Sequence, residues 1–338
     1  MTPPSPERLR QVLQRILGQP GALPEDWEPE ATTYDLPRFH SEAEFAARFS
    51  SAIAQILDQD VRDPEALRAL LFACGHPYDY ARLGHPLSTV YELYMQLVSG
   101  AARAVSFASR TKPFLAAIEA ATAGQAPGAV ATVQLYAAGR LPLSAAGKQA
   151  LHSRGVQLHE DWQGPLPAPP PGTVLTLYVS QGPYSGELMR HQADGVCYAV
   201  PHGGVLLIRR PEAIAAPRIQ LIRKRTVAAL LAADAKAELR RLAGLAEEPA
   251  ATATEQDCDA RRVELFPQVR ECAYFCTGLA AEAAVFSATA RVVRGPAPSD
   301  AAPMKLFYAQ NGYGGTGQLI AELLPGQERL EPAPLPVL

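Results

Sequence analysis

With 338 residues, 48% of them hydrophobic, the chain can bury one large α/β domain with a smaller appendage, and it is too apolar to be disordered. A formal net charge of −3 gives no electrostatic case for nucleic acid, and no apolar run approaches the length of a membrane span. The N-terminal stretch MTPPSPERLRQ has no apolar signal core, and the five cysteines (Cys74, Cys197, Cys258, Cys272, Cys276) form an odd, scattered set suited to reduced thiols, so a cytoplasmic location is expected.

Residues 1–75 read as helical. Ser5-Pro6 opens a helix with Leu9, Val12, Leu13, Ile16 and Leu17 on one face, closed by Gly18; a Pro- and acid-rich connector follows from Gln19 to Phe39. Ser41 and Glu44 form a capping box for a helix that buries Phe45, Phe49, Ile53, Ile56 and Leu57, and Asp63-Pro64 starts another that Gly75 stops. From Tyr78 to Glu119 the chain reads as turn, helix, strand, loop and helix. Ser88 or Thr89 caps the first helix, Ser99-Gly100 ends it, Arg103–Phe107 is a short buried strand, and Pro113 opens the second helix.

Beyond Glu119 the pattern alternates: a strand from Ala129 to Tyr136, a helix from Ser144 to Arg154, and a strand from Val156 to His159, the rhythm of a mostly parallel sheet. A Pro-rich connector occupies Asp161 to Thr173. The basic run of Arg209, Arg210, Arg218, Arg223, Lys224 and Arg225 reads as a solvated face before a helix through Ala228-Leu231 to Leu242. Pro249 to Gln256 is a connector, and Val263 to Ala288 is strongly helical. Cys272 and Cys276 share a helix face without further ligands at metal-binding spacing, so no metal is expected.

Tyr80-Ala81-Arg82-Leu83-Gly84-His85-Pro86, with Glu92 six residues on and the strand and loop after it, resembles the entry segment of the Cys/Met-metabolism family of pyridoxal-phosphate (PLP) enzymes, of the cystathionine synthase and lyase type. The resemblance places Tyr80 and Arg82 where a Tyr-x-Arg pair reaches across a dimer interface to the cofactor phosphate. Ser109-Arg110-Thr111 stands in place of a Ser-Gly-Met phosphate loop, which leaves Ser109 as a vestige of that site. Tyr136-Ala137-Ala138-Gly139 resembles the Tyr-Gly-Gly segment whose tyrosine stacks on the PLP ring, and Gly314-Gly315 matches part of a C-terminal Ser-Leu-Gly-Gly turn. Arg329-Leu330 is a poor match to the Arg-Leu-Ser motif that holds a substrate carboxylate. Helices replace the usual extended N-terminal arm, and the connector at 161–173 replaces a strand-helix unit.

PLP catalysis needs a carboxylate against the pyridine nitrogen and a lysine that holds the aldehyde as a Schiff base. Thr173 to Ile208 aligns with the family's cofactor-anchoring core without a gap, and in that register the aspartate position is Leu177, the lysine position is His202, and two phosphate-binding hydroxyl positions are Ala199 and Pro201. Lys112, in the loop that faces the phosphate, is the one candidate for a relocated Schiff base.

The resemblance implies a PLP-transferase-like large α/β domain, mostly parallel and flanked by helices, with a small C-terminal α/β domain. The expected divisions are 1–75, 76–248 and 249–338. The function implied is that of a degenerate relative without covalent PLP, a partner, scaffold or regulator that forms a homodimer or pairs with a PLP-enzyme paralogue and takes, at most, a small amino-acid-like ligand. Two enzyme readings stand beside it. One is a carbon-sulfur lyase or γ-replacement transferase with PLP held noncovalently or on Lys112. The other is a PLP-independent activity with His202 as general base and Tyr136 as donor.

Overall fold

The computed structural model describes residues 4–28, 35–123, 131–184, 192–246, 255–265, 268, 273, 275, 278–294, 304–309, 314–323 and 330–335. Six strands form one mixed sheet in the order β1-β6-β5-β4-β2-β3. They are β1 (Arg103–Phe107), β2 (Thr132–Ala137), β3 (Val156–His159), β4 (Thr173–Ser180), β5 (Gly195–Val200) and β6 (Gly203–Ile208). The β2–β3, β2–β4 and β4–β5 pairs are parallel, whereas β6 runs antiparallel to both β5 and β1. This is the α/β sheet, mostly parallel and flanked by helices, that the alternation of strand and helix patterns predicts.

Side chains alternate across the pleat, so each strand feeds two cores. On one face Ala104, Tyr136, Val196, Tyr198, Val205 and Leu207 pack with helices α1 (Pro6–Gly18), α2 (Glu42–Asp58), α3 (Pro64–Phe72), α4 (Pro86–Ser99) and α8 (Ala232–Ala243). On the other, Val105, Phe107, Leu135, Leu177, Cys197 and Leu206 pack with α5 (Lys112–Thr122), α6 (Ala145–His152) and α7 (Ala216–Thr226). The later elements are α9 (Glu255–Leu265), α10 (Gly278–Arg294), the parallel pair β7 (Met304–Ala309) and β8 (Leu330–Leu335), α11 (Gly314–Gln318) and a π-helical turn at Leu319–Leu323. Leu279, Ala290, Leu319, Ile320 and Leu330 join the α5–α7 core.

The N-terminal helices obey their caps. Ser5 accepts from Arg8 N at 3.3 Å, and Ser41 and Glu44 close the capping box, with Glu44 N to Ser41 Oγ at 3.1 Å and Ser41 N to Glu44 Oε2 at 2.9 Å. The start of α4 differs from expectation. His85, not Ser88 or Thr89, is the cap: its Nδ1 accepts from Ser88 N at 3.4 Å and Ser88 Oγ accepts from His85 N at 3.0 Å. An imidazole with a free lone pair does what a hydroxyl does, and Pro86 fills the first helical position, where no donor is needed.

Two further expectations change. The basic run contains a helix of its own, α7, separate from α8, and its Arg223 is fully buried instead of solvated. The helix expected from Val263 to Ala288 is divided: α9 ends at Leu265, two residues before Pro267, and α10 begins at Gly278. Cys272, Cys276 and Arg329 lie outside the described residues.

Candidate functional site

The registers bring the C-terminal ends of β1, β2, β3, β4 and β5 to one edge of the sheet, where open α/β sheets place ligands. Opposite the end of β1 the β5–β6 hairpin turns in two residues, Pro201 and His202, between the paired Val200 and Gly203. A Cβ on Gly203 would stand 2.3 Å from Phe107 O, and one on Gly204 2.9 Å from Pro113 Cγ, so only glycines let this hairpin close on the β1–α5 loop. His202 itself is exposed at the tip.

Three segments meet beside that loop. Ala108 N donates to Ala228 O at 3.0 Å, and Ala229 N donates to Arg82 O at 2.9 Å, so the dipeptide 228–229 holds the Tyr80–Arg82 loop next to Ser109. Ser109 Oγ accepts from Lys112 N at 3.2 Å, in the manner of a local cap for α5. The Arg82 guanidinium bonds the Tyr80 hydroxyl, Nε to O at 2.6 Å, and lies 4.9 Å from the centre of that ring, with Lys224 Nζ 5.7 Å from the same ring. Ser109, well separated from Arg82 in sequence, therefore lies beside the loop that carries Tyr80 and Arg82. Lys112 starts at the same edge, but its ammonium points down α5 to Glu119 at 3.8 Å.

Tyr136 lies elsewhere. It is the penultimate residue of β2, with β4 between it and β5, roughly 10 Å along the sheet from the hairpin strand at ordinary strand spacing. It faces the α4/α8 side, whereas Leu177, fully buried, faces the α5/α7 side. The two positions that the resemblance assigns to one cofactor ring thus sit on opposite faces of the sheet. The Tyr136 ring is stacked on His159 at 4.5 Å with an interplanar angle of 14°, and Trp162 meets it edge-on at 4.9 Å. Burial pushes the Tyr136 hydroxyl up and the His159 imidazole down from their ordinary pKa values.

Sequence reasoning missed the group that supports this edge. Glu92 Oε1 accepts from Ser106 N at 2.8 Å and Ser106 Oγ at 2.7 Å, and it pairs with the Arg223 guanidinium, which also donates to Ser106 O at 3.0 Å and to Leu83 O. Carboxylate and guanidinium satisfy the outer N–H and C=O of edge strand β1, where another chain could otherwise pair. The signal was present in the register of α7: Arg223 follows Ile219 by four residues and Ile222 by one, on the helix's buried side. At the opposite end of the sheet the buried Asp194 accepts from Thr176 N at 2.7 Å and pairs with Arg210, fixing β4, β5 and β6 in register.

Among the described residues no group of three or more His, Cys, Asp or Glu side chains could hold a metal ion, and no helix is long and apolar enough to cross a membrane.

No protein-family model matches the sequence, and no curated protein matches it. Among solved structures, cystathionine γ-synthase from Xanthomonas oryzae pv. oryzae, in complex with cystathionine, is similar with a TM-score of 0.36 and 17% identity over 49% of this chain and 52% of that one. Cystathionine γ-lyase from Micromonospora echinospora gives 0.35 and 16% over 49% and 54%, and an O-acetylhomoserine (thiol)-lyase from Campylobacter jejuni gives 0.34 and 13% over 64% and 69%. The chain spans about half the length of the two cystathionine enzymes to which it is similar.

Proposed function

We propose that this chain is a non-catalytic relative of cystathionine synthase and lyase type PLP enzymes, one that holds no PLP covalently and acts as a binding partner, scaffold or regulator, as a homodimer or with an active paralogue. The observation that carries the reading is where the lysines go. The β5–β6 turn offers Pro201 and His202, and the five lysines of the chain are placed otherwise. Lys112 pairs with Glu119, Lys148 with Glu160 at 2.6 Å and Lys236 with Glu28 at 2.7 Å; Lys224 lies against Tyr80, and Lys305 is exposed on β7.

The side chains available at the strand ends do not fit a ring held as a Schiff base between a carboxylate and a stacking aromatic. A Schiff base on Lys112 requires that side chain to leave Glu119 and reverse its direction along α5. Acid–base work shared by His202 and Tyr136 requires them to meet across β4, while Tyr136 is covered by His159 and Trp162.

The test is an absorbance spectrum of the purified protein from 300 to 500 nm before and after PLP is added, followed by borohydride reduction and peptide mapping. A spectrum without a protein-dependent band is expected. A band at about 420 nm that reduction locks onto one lysine would overturn the reading. Co-expression with a PLP-enzyme paralogue tests pairing: a chain that purifies as a stable homodimer and ignores the paralogue removes the heterodimer from the proposal.

A further inference from the structure

The connector between β3 and β4 crosses the sheet without a helix. Both strands run parallel to β2, one on each side of it, so residues 160–172 must carry the chain from the C-terminal end of β3 back to the opposite end of the sheet. A helix usually makes such a crossover, but the sequence PLPAPPP at 165–171 forbids one, since each proline removes a donor and clashes with the preceding turn. Residues 166–170 form neither helix, strand nor turn. Proline fixes its own φ, and Leu166, Ala168, Pro169 and Pro170 each precede a proline and are thereby kept extended, so the stretch is a polyproline II helix. At about 3.1 Å per residue, 165–172 reaches about 25 Å, the length needed to run back along β4.

The strap is tied at three places and bare between them. Trp162 N donates to Ala137 O at 2.8 Å, Leu166 is buried in the α4/α8 core, and Pro170 O accepts from Thr173 N at 3.2 Å and Thr173 Oγ1 at 2.7 Å. Pro165 and every residue from Pro167 to Gly172 are exposed. With three residues per turn, the row that contains Leu166 turns inward, and two rows face out, Pro165, Ala168 and Pro171 in one and Pro167 and Pro170 in the other. From 165 to 171 only Leu166 and Ala168 carry a backbone N–H, so the ridge is rich in carbonyl acceptors and poor in donors. No charged residue lies between Trp162 and Val174, and no outward side chain is longer than a proline ring. Nucleic acid and a lipid surface therefore have nothing to hold. Flat rings that pack on prolines and carry N–H or O–H donors on their rims do.

We propose that this strap docks a partner protein through a groove lined with tryptophan and tyrosine, the chemistry that takes PxxP segments, with Pro167 and Pro170 seated between the rings. Because the folded chain already holds the ridge extended, docking orders little that was free, and the whole protein binds more tightly than the same residues excised. The surface stands on the β3–β4 crossover and is independent of the lysine position at His202, so the PLP spectrum tests one reading and the following experiment the other.

The probes are a purified SH3 domain and a purified WW domain, each beside a control whose groove tryptophan is replaced by alanine, titrated with the full chain and with a peptide of residues 161–173. At least one intact domain is expected to bind the full chain, more tightly than the peptide and with affinity little changed up to about 0.5 M sodium chloride. The double variant Pro167→Ala/Pro170→Ala is expected to bind about tenfold more weakly with an unchanged circular dichroism spectrum. Binding to neither domain, equal binding to the alanine controls, a steep fall with salt, tighter binding of the peptide, or full affinity in the double variant overturns the proposal. Should the variant fail to fold, the Ala168 amide of the wild type decides by NMR: it is expected to shift as the domain saturates, and a signal that stays in place at saturation overturns the proposal.

Discussion

Lowering the pH should unfold this protein through one histidine more than through any surface pair. His85 is 4% exposed, and both of its nitrogens are committed: Nδ1 accepts from Ser88 N at 3.4 Å, and Nε2 donates to Leu230 O at 2.8 Å. Burial pushes its pKa from 6.5 down to about 4, and the nearby Arg223 charge acts in the same direction. In the unfolded chain the ring takes up its proton at the ordinary value, so the unfolded state binds more protons between those limits, and stability must rise with pH there and fall as pH is lowered. At about 1.4 kcal/mol per pH decade, going from 6.5 to about 4 costs the folded state about 3 kcal/mol, a large share of a typical margin of about 5–15 kcal/mol. His76, buried and likewise lowered by desolvation, adds to the loss with the same sign. The assay is urea unfolding followed by circular dichroism at pH 7 and pH 4, for the wild type and for His85→Asn. Asparagine keeps a capping oxygen for the Ser88 amide but takes up no proton. The variant should start less stable, having lost the Leu230 contact, and should then lose about 3 kcal/mol less than the wild type on acidification. An identical pH dependence in the two proteins would refute the reasoning, because it would mean that His85 titrates alike in the folded and unfolded states.

The edge-strand clamp and the hairpin contact give two further expectations. Glu92→Gln leaves the fully buried Arg223 without its counter-charge and should cost about 3 kcal/mol in chemical denaturation, the low end for a broken buried pair because the amide oxygen can still accept from Ser106; a loss within experimental error would show that the pair is dispensable. Gly203→Ala places a methyl 2.3 Å from Phe107 O and 2.5 Å from Leu230 Cδ1 and should cost about 3 kcal/mol, whereas Gly278→Ala meets nothing within 4 Å and should leave the melting temperature unchanged or slightly higher. Equal effects of the two substitutions would contradict the close approach of the hairpin to β1.

How much of this was legible in the sequence depended on whether the signal was local. Caps and periodicity are local, so the helices from Ser5, Ser41 and Asp63, the strand Arg103–Phe107 and the strand Val156–His159 appear where the pattern puts them. The cap of α4 was misplaced because a histidine rarely serves as one, and the choice is settled by Leu230, 145 residues away, which fixes the ring's tautomer. Arg223 was hidden for the same reason: a guanidinium looks solvated until a distant Glu92 and two carbonyls are brought to it. The resemblance brings Tyr80 and Arg82 to the Ser109 loop only across a dimer interface, whereas within the chain the dipeptide Ala228-Ala229, to which no motif pointed, ties their loop to the segment before Ser109. The cluster of Tyr136, His159 and Trp162 depends on which strands pair, and periodicity does not encode strand order.

These residues divide into those that build the edge and those that face it. Arg223 joins α4 through Glu92, β1 through Ser106 O and the Arg82 loop through Leu83 O; Asp194 locks the other end of the central strands; Gly203 and Gly204 let the hairpin close against α5. Each is buried or sterically confined, so replacing one would cost several kcal/mol, and the cost falls on folding whatever the site does. Leu177 and His202 lie outside this polar network: Leu177 is a fully buried core leucine whose truncation would open a cavity costing about 2–5 kcal/mol, whereas His202 is an exposed turn residue, a position at which a side chain can change without taking the sheet with it.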